Sequence, residues 1–209
     1  MRKLLRILEY DKALEINPRY FETWNNKGTV LSKIGKHQEA LACFDKALEI
    51  NPSFAEAWYN KGIVLEDLGR LQEAILCYDI AIEINPKDAG AWNNKGGVLA
   101  DIGRLQEAIL CYDKAIEINP RDAKAWYNKG NALVNLGMYQ AAVACYDKAI
   151  EINPIYFEAW SNKGNALVNL GMHQEAILSF QKFVEFAPPQ YGSNIKMVED
   201  VIRKLKKRV

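Results

Sequence analysis

The sequence predicts an all-α fold: an α-solenoid of stacked antiparallel helix pairs in 34-residue repeats, with single helices at both ends. Three observations predict it. Trp24, Trp58, Trp92, Trp126 and Trp160 recur at steps of 34, in register with Pro18, Pro52, Pro86, Pro120, Pro154 and Pro188. Two glycine columns keep the same step, one running from Gly28 to Gly164 and the other from Gly35 to Gly171. Between these marks each copy holds two apolar patterns of helical period, the signature of a repeat array rather than of a single globular core.

The elements follow in order. Residues 1–20 are a partial repeat: counting back 34 from Phe44 and Ala47 lands on Tyr10 and Ala13, so Arg2 to Ile16 reads as a second helix without its first. The chain thus starts mid-repeat, either with a lone capping helix or as a fragment of a longer array. Five full repeats follow at 21–54, 55–88, 89–122, 123–156 and 157–190. In the second, Ala55 to Leu68 forms helix A, Gly69 supplies a left-handed C′ residue, and Leu71 to Ile84 forms helix B. Asn85-Pro86 ends it, because proline lacks the amide donor and pushes the residue before it out of helical conformation. Gly at position 8 of helix A is expected to face Ala at position 20 of helix B, letting the backbones approach closely. The Trp, the aromatic at position 24 and Ala at position 27 are expected to fill the layer between hairpins. Residues 191–209 carry Ile195, Val198, Ile202 and Leu205 on one stripe, a C-terminal capping helix over Ser193 to Arg208.

Composition narrows the function classes. The chain has 209 residues, 49% of them hydrophobic, with 27 Lys+Arg against 26 Asp+Glu. This near-balance argues against a dedicated nucleic-acid binder, and no apolar run approaches the roughly 20 residues of a membrane span. The charge is nevertheless uneven: residues 191–209 carry +4, residues 1–6 carry +3, and the repeats between carry −6. Arg203, Lys204, Lys206, Lys207 and Arg208 read as cations at a helix C-terminus, with contact to nucleic acid or anionic lipid as the alternative.

The chain offers no catalytic or metal constellation, and no cofactor or small-molecule substrate is expected. His37 and His173 lie four repeats apart and read as surface residues. Cys43, Cys77, Cys111 and Cys145 share position 23, too far from one another for a disulfide or a zinc site. They read as small apolar packing in a reducing, cytoplasmic setting. Gly28 and Gly35-Lys36 fail the spacing of a phosphate loop.

At Trp58, Gly62, Ala74, Tyr78 and Pro86 the chain resembles the tetratricopeptide repeat family. Two columns depart from the family pattern: its Leu is Lys here (Lys27, Lys61, Lys95, Lys129, Lys163) and its Tyr is Leu (Leu31 to Leu167). A lysine stem lies along apolar surface with its ammonium in water, so the fold is not threatened. The resemblance implies a right-handed superhelix whose A helices line a concave, peptide-binding groove, with positions 2, 5, 6, 9, 12 and 13 facing it. Position 6 is then an asparagine column, Asn26, Asn60, Asn94, Asn128 and Asn162. A carboxamide pairs with a peptide backbone regardless of sequence, similar to the asparagine ladder in the repeats of O-GlcNAc transferase; alternatively the column bonds neighbouring A helices to each other.

Variable positions are expected to set specificity. Glu66, Asp67 and Asp101 beside Tyr59 suit a ligand with basic side chains. The stretch holding Lys124, Tyr127, Asn131 and Asn165 is neutral. Gly90 and Gly97 leave room for a bulky ligand side chain. The carboxylate clamp by which related repeat proteins grip chaperone tails is missing, since position 5 is never Lys and position 6 never basic. The expected function is a non-catalytic protein-interaction scaffold holding a peptide or protein segment. The alternatives are the repeat arm of a larger enzyme such as a glycosyltransferase, and a homo-oligomer assembled through its terminal helices.

Overall fold

The computed structural model describes residues 2–207; Arg208, one of the tail cations, lies outside the described residues. These residues form twelve α-helices and one 3-10 turn, with no strand among them. They divide into two compact units at Ile102/Gly103, so the boundary falls within the third repeat, between its two helices. Unit 1 holds α1 (Arg2–Ile16), α2 (Phe21–Ser32), α3 (His37–Ile50), α4 (Ala55–Asp67), α5 (Leu71–Ile84) and α6 (Ala89–Asp101). Unit 2 holds α7 (Leu105–Ile118), α8 (Ala123–Asn135), α9 (Tyr139–Ile152), α10 (Phe157–Asn169), α11 (His173–Phe186), the 3-10 turn Pro189–Tyr191 and α12 (Gly192–Lys206). Within each unit, consecutive helices pack on one another.

Local chemistry explains where each helix stops. Gly69 and Gly137 adopt φ of +72° and +73°, the left-handed region that a side chain disfavours. The next amides then reach back, Arg70 to the Leu65 carbonyl at 2.8 Å and Met138 to Leu133 at 2.9 Å, closing the helix end. Before Pro52, the Asn51 Oδ1 accepts the Ser53 amide at 3.1 Å, an Asx turn that satisfies a donor at the bend. The indole of Trp58 then donates to the Pro52 carbonyl at 2.9 Å, and Trp24, Trp92, Trp126 and Trp160 repeat that bond. This one contact links the proline and tryptophan columns. Asp88 and Asp122 cap α6 and α8 with their carboxylates.

Packing adds to one expectation. The nearest neighbour of the position-8 glycine is the position-24 aromatic: a Cβ on Gly62 would stand 2.6 Å from the Tyr78 ring, and one on Gly130 2.6 Å from Tyr146. The large flat ring needs the space more than the small alanine does, although Ala74 and Ala142 are fully buried as well. The interhairpin layer holds the expected Trp and Ala, with Ala47 and Ala57 among Trp24 and Trp58, and Ala149 and Ala159 among Trp126 and Trp160, but not the position-24 aromatic, which packs on the glycine of its own hairpin.

The lysine column is more than an aliphatic stem. Lys61 Nζ lies 2.7 Å from Asp45, 16 residues earlier, and 5.4 Å from the Trp58 ring centroid. Lys27, Lys95, Lys129 and Lys163 pair likewise with Asp11, Asp79, Asp113 and Asp147. The histidines also differ from expectation. Both are half-buried, and their Nδ1 atoms are sealed from solvent without a hydrogen-bond partner. A helical side chain leans toward its own N-terminus, which at the first residue of α3 or α11 carries the ring back over the preceding turn.

The two ends are dissimilar. On α12, Val198, Ile202 and Leu205 are buried in the cluster containing Phe180 and Phe183, with Ile195 at its margin, so the predicted stripe is covered. On α1, Leu14 is buried while Leu5, Leu8 and Ile16 remain exposed.

Candidate functional site

The A helices α2, α4 and α6 of unit 1, and α8 and α10 of unit 2, carry the candidate residues. In unit 1 the asparagine column is engaged between helices. Asn60 Nδ2 donates to Asn25 Oδ1 at 3.0 Å, and Asn94 Nδ2 donates to the Tyr59 hydroxyl at 3.1 Å, each reaching 35 residues back to position 5 of the preceding A helix. Asn25 is 1% exposed and donates in turn to Glu56 at 3.1 Å. Asn26, on the first A helix, is exposed.

One acidic residue of unit 1, Glu66, meets a buried phenol. Tyr78 donates its hydroxyl to Glu66 at 2.9 Å. Burial pushes its ionisation up, and the Glu66 charge adds to that. Tyr59 lies 6.0 Å from the Tyr78 ring and is shifted the same way, by burial and then by Asp88. Asp67 and Asp101 are exposed and close α4 and α6, the negative pole of each helix, where a carboxylate is disfavoured. Gly97 faces open space, with nothing within 4 Å of a Cβ built there, whereas one on Gly90 would meet Asp88 and the Tyr59 hydroxyl.

Unit 2 has no acid in the corresponding place. Tyr146, at the position of Tyr78, donates to Asn131 Oδ1 at 2.8 Å. Asn162 Nδ2 donates to that same oxygen at 2.9 Å and to the Tyr127 hydroxyl at 3.1 Å. Tyr127 stands 4.9 Å from Tyr156 and 6.0 Å from Tyr146, ring to ring. Asn128 is half-buried and Asn165 exposed; the carbonyl of Asn165 accepts Asn169 Nδ2 at 2.9 Å. Lys124 is exposed at the start of α8. Asn131, Val134, Asn135, Tyr146, Asn162 and Asn165 enclose a hollow of about 230 Å³.

Tyr146 and Val134 were not among the residues expected from the sequence. A signal for Tyr146 existed: position 24 is Phe in the first and last full repeats and Tyr in the three between, so the hydroxyl answers to something other than packing. A wider hollow of about 690 Å³ in unit 2 is walled by an exposed Lys148–Glu151 pair and by Trp126, whose N–H is already spent on Pro120. It offers no unspent buried polar group.

Among the described residues no group of His, Cys, Asp and Glu is placed to hold a metal ion. The four thiols are buried and unpaired, and burial raises those of Cys43 and Cys77 to about 11. No helix of the described residues is long and apolar enough to cross a membrane.

Family models described as tetratricopeptide repeat match residues 25–89, 77–109, 123–156 and 145–177, and one described as TPR repeat matches 96–137. An uncharacterized protein of Methanocaldococcus jannaschii is 45% identical over 40 residues, 19% of this chain and 46% of its own length, so the chain matches under half of that relative. Among solved structures, YrrB, described as a TPR protein with an unusual peptide-binding site, superposes with a TM-score of 0.74 at 25% identity, over 93% of this chain and 97% of its own. A MamA protein gives 0.73 at 25% identity, over 79% of this chain and 90% of its own. PilF of Pseudomonas aeruginosa shares the fold, with a TM-score of 0.75 at 19% identity over 90% and 89% of the two chains. With its repeats matched from residue 25 to residue 177, the chain belongs to the tetratricopeptide repeat family.

Proposed function

We propose that this chain is a non-catalytic scaffold for protein–protein contacts that binds peptide or protein segments along the A-helix face of each unit. The observation that carries the reading is the hollow of unit 2. It opens among groove positions 9, 12 and 13, which packing does not dictate, and is lined by hydrogen-bonding groups. Asp67 and Asp101 support the same reading for unit 1. Each stands where its own helix dipole works against it, a small stability cost that a cationic partner would offset. The peptide-binding site in YrrB's description is in keeping with this function.

In this reading Asn26, Asn60, Asn94, Tyr59, Asp67 and Asp101 serve a segment with basic side chains, and Lys124, Tyr127, Asn128, Asn131, Asn162 and Asn165 an uncharged one. Because the amide hydrogens of Asn60, Asn94 and Asn162 already bond the preceding helix, the carbonyl side of the column faces the ligand. Four buried free thiols suit a reducing compartment such as the cytoplasm. The test is selection from a random-peptide library on the immobilised chain, followed by calorimetry of the selected sequences. Saturable one-to-one binding that Asp67→Asn with Asp101→Asn weakens for basic peptides alone supports the reading, and no selected peptide above background rejects it.

Association between copies is a second reading, favoured by the exposed Leu5, Leu8 and Ile16 of α1. Light scattering across a wide concentration range, on the intact chain and on a Leu5→Ser, Leu8→Ser variant, tests it. A mass independent of concentration removes it.

A further inference from the structure

We infer that the hollow of unit 2 is a side-chain pocket for a primary carboxamide, the glutamine or asparagine of a bound peptide, held by Asn131 and Asn162. The inference rests on the peptide-binding reading above and names the chemistry one unit selects.

Two hydrogen bonds tie Asn131 to its neighbours. Its Oδ1 accepts from the Tyr146 hydroxyl at 2.8 Å and from Asn162 Nδ2 at 2.9 Å, which fills both lone pairs of a carbonyl oxygen. Reversing Asn131 alone would set two Nδ2 groups against each other, and reversing both amides would only exchange donor and acceptor, since the two phenols can play either part. In the recorded arrangement Asn131 has both Nδ2 hydrogens left, and no described residue accepts them. Asn162 is held in the complementary sense. Its Nδ2 hydrogens go to Tyr127 and Asn131, leaving its carbonyl oxygen as an acceptor. The pocket thus presents one donor and one acceptor on neighbouring carboxamides. Tyr146, only 1% exposed, anchors the pair, and a pre-oriented site loses little conformational freedom on binding.

A primary carboxamide supplies a carbonyl and an N–H together and matches both. A carboxylate would satisfy Asn131 but set its charge against the Asn162 oxygen, an ammonium would do the reverse, and an aliphatic side chain would leave both groups unpaired. A peptide-backbone group has the same chemistry. The floor of the hollow, however, is Tyr146 on α9, behind the A helices, where a side chain reaches and a main chain running over α8 and α10 does not. Val134 provides an apolar wall for the methylenes of that side chain. At about 230 Å³ the space takes one long side chain and is too small for a peptide segment. Unit 1 is the internal contrast: the Tyr78 hydroxyl goes to Glu66 and position 9 is Ile63, so no carboxamide is locked there.

The experiment titrates the full ¹⁵N-labelled chain with N-acetylglutamine methylamide, N-acetylglutamate methylamide and N-acetylglycine methylamide, observing the side-chain amide resonances of Asn131 and Asn162. The glutamine probe is expected to shift both saturably, with an apparent Kd about tenfold below that of the other two, the equivalent of one to two hydrogen bonds. Asn131→Ile, which copies Ile63 of the second repeat, is expected to abolish that preference and, because it strands the buried Tyr146 hydroxyl, to lower Tm by a few degrees while the chain still folds. Should it fail to fold, Asn131→Thr, which copies Thr29, replaces it. An equal response to the glycine probe would assign the hollow to main chain and overturn the inference, as would an unmoved Asn131 with all three probes. Library peptides separate the two readings: peptides that bind wild type and Asn131→Ile equally, without Gln or Asn enrichment, sink the pocket and leave the groove. If no peptide is selected while the glutamine probe still titrates Asn131, the groove reading fails and the pocket stands.

Discussion

Repeats 2 and 4 stand 68 residues apart on one scaffold and end in opposite chemistry. Trp58 and Trp126, Gly62 and Gly130, Ala74 and Ala142, and Tyr78 and Tyr146 make equivalent contacts. Both phenols are buried and both hydroxyls turn toward helix A, yet one meets the Glu66 carboxylate and the other the Asn131 carboxamide. Around them Ile63, Asp67 and Gly97 stand where unit 2 has Asn131, Asn135 and Asn165. Positions that fill the layers vary little, because close-packed interiors register a single methylene. Positions open to the hollow vary freely, and their variation turns one scaffold into two binding surfaces.

The largest effect is expected where the repeats agree. Gly62→Val and Gly130→Val drive a branched side chain into a ring already 2.6 Å from the first added carbon. Each should cost about 3 kcal/mol by urea denaturation. A difference of more than about 1 kcal/mol between them would show that the two hairpins are not packed alike.

The hydroxyls come next. Tyr78→Phe removes a hydrogen bond to a charged acceptor and should cost about 1.5–3 kcal/mol, whereas Tyr146→Phe removes a neutral one and should cost about 0.5–1.5 kcal/mol. Phe44 and Phe180 already occupy this position, so packing tolerates the change. If the two variants melt alike, the Glu66 contact carries no charge-assisted strength.

Alkali probes the same layer. The buried thiols of Cys43 and Cys77 ionise near 11 instead of 9.0. A raised folded-state value gives stability that is complete below the unfolded value and lost as pH climbs through the folded one. Stability should therefore decline between pH 9 and 11, and further as the raised phenols Tyr78 and Tyr146 are forced to ionise. The double variant Cys43→Ala, Cys77→Ala should flatten the first part of that decline in a Tm-versus-pH series.

The smallest expected effect lies at the surface. Asp67→Asn and Asp101→Asn relieve an unfavourable helix terminus and should each raise stability by about 0.3–1 kcal/mol at low salt, while Asn135→Asp in unit 2 should lower it by a similar amount. Loss of the difference in high salt would confirm its electrostatic origin.

Much of this was legible in the chain. Helix ends come from Gly69, Asn85 and Pro86, residues whose backbone restrictions act within a few positions of themselves. The Trp column marks the layer because only a repeated environment demands the same large side chain every 34 residues. The Asp45, Asp79, Asp113 and Asp147 column was equally visible, but its link to the lysines 16 residues later was not. That pairing requires helix B of one repeat to lie beside helix A of the next. For the same reason the place of Tyr78 over Gly62 was not legible: period puts Gly62, Ala74 and Tyr78 at the A–B interface but does not say which neighbour stands nearest the missing Cβ.

The sequence by itself determined the repeat, its two helices, its turns and the family, since each depends on short-range steric and hydrogen-bonding rules applied five times over. Only the tertiary structure decided how the polar groups divide. It committed the hydrogens of Asn60, Asn94 and Asn162 to neighbouring helices. It gave Tyr78 an acid and Tyr146 an amide, and it set Asn131 on the wall of the hollow. A side-chain amide bonds whatever the stacking of hairpins brings within 3 Å, and that distance is set by packing between residues about 35 positions apart.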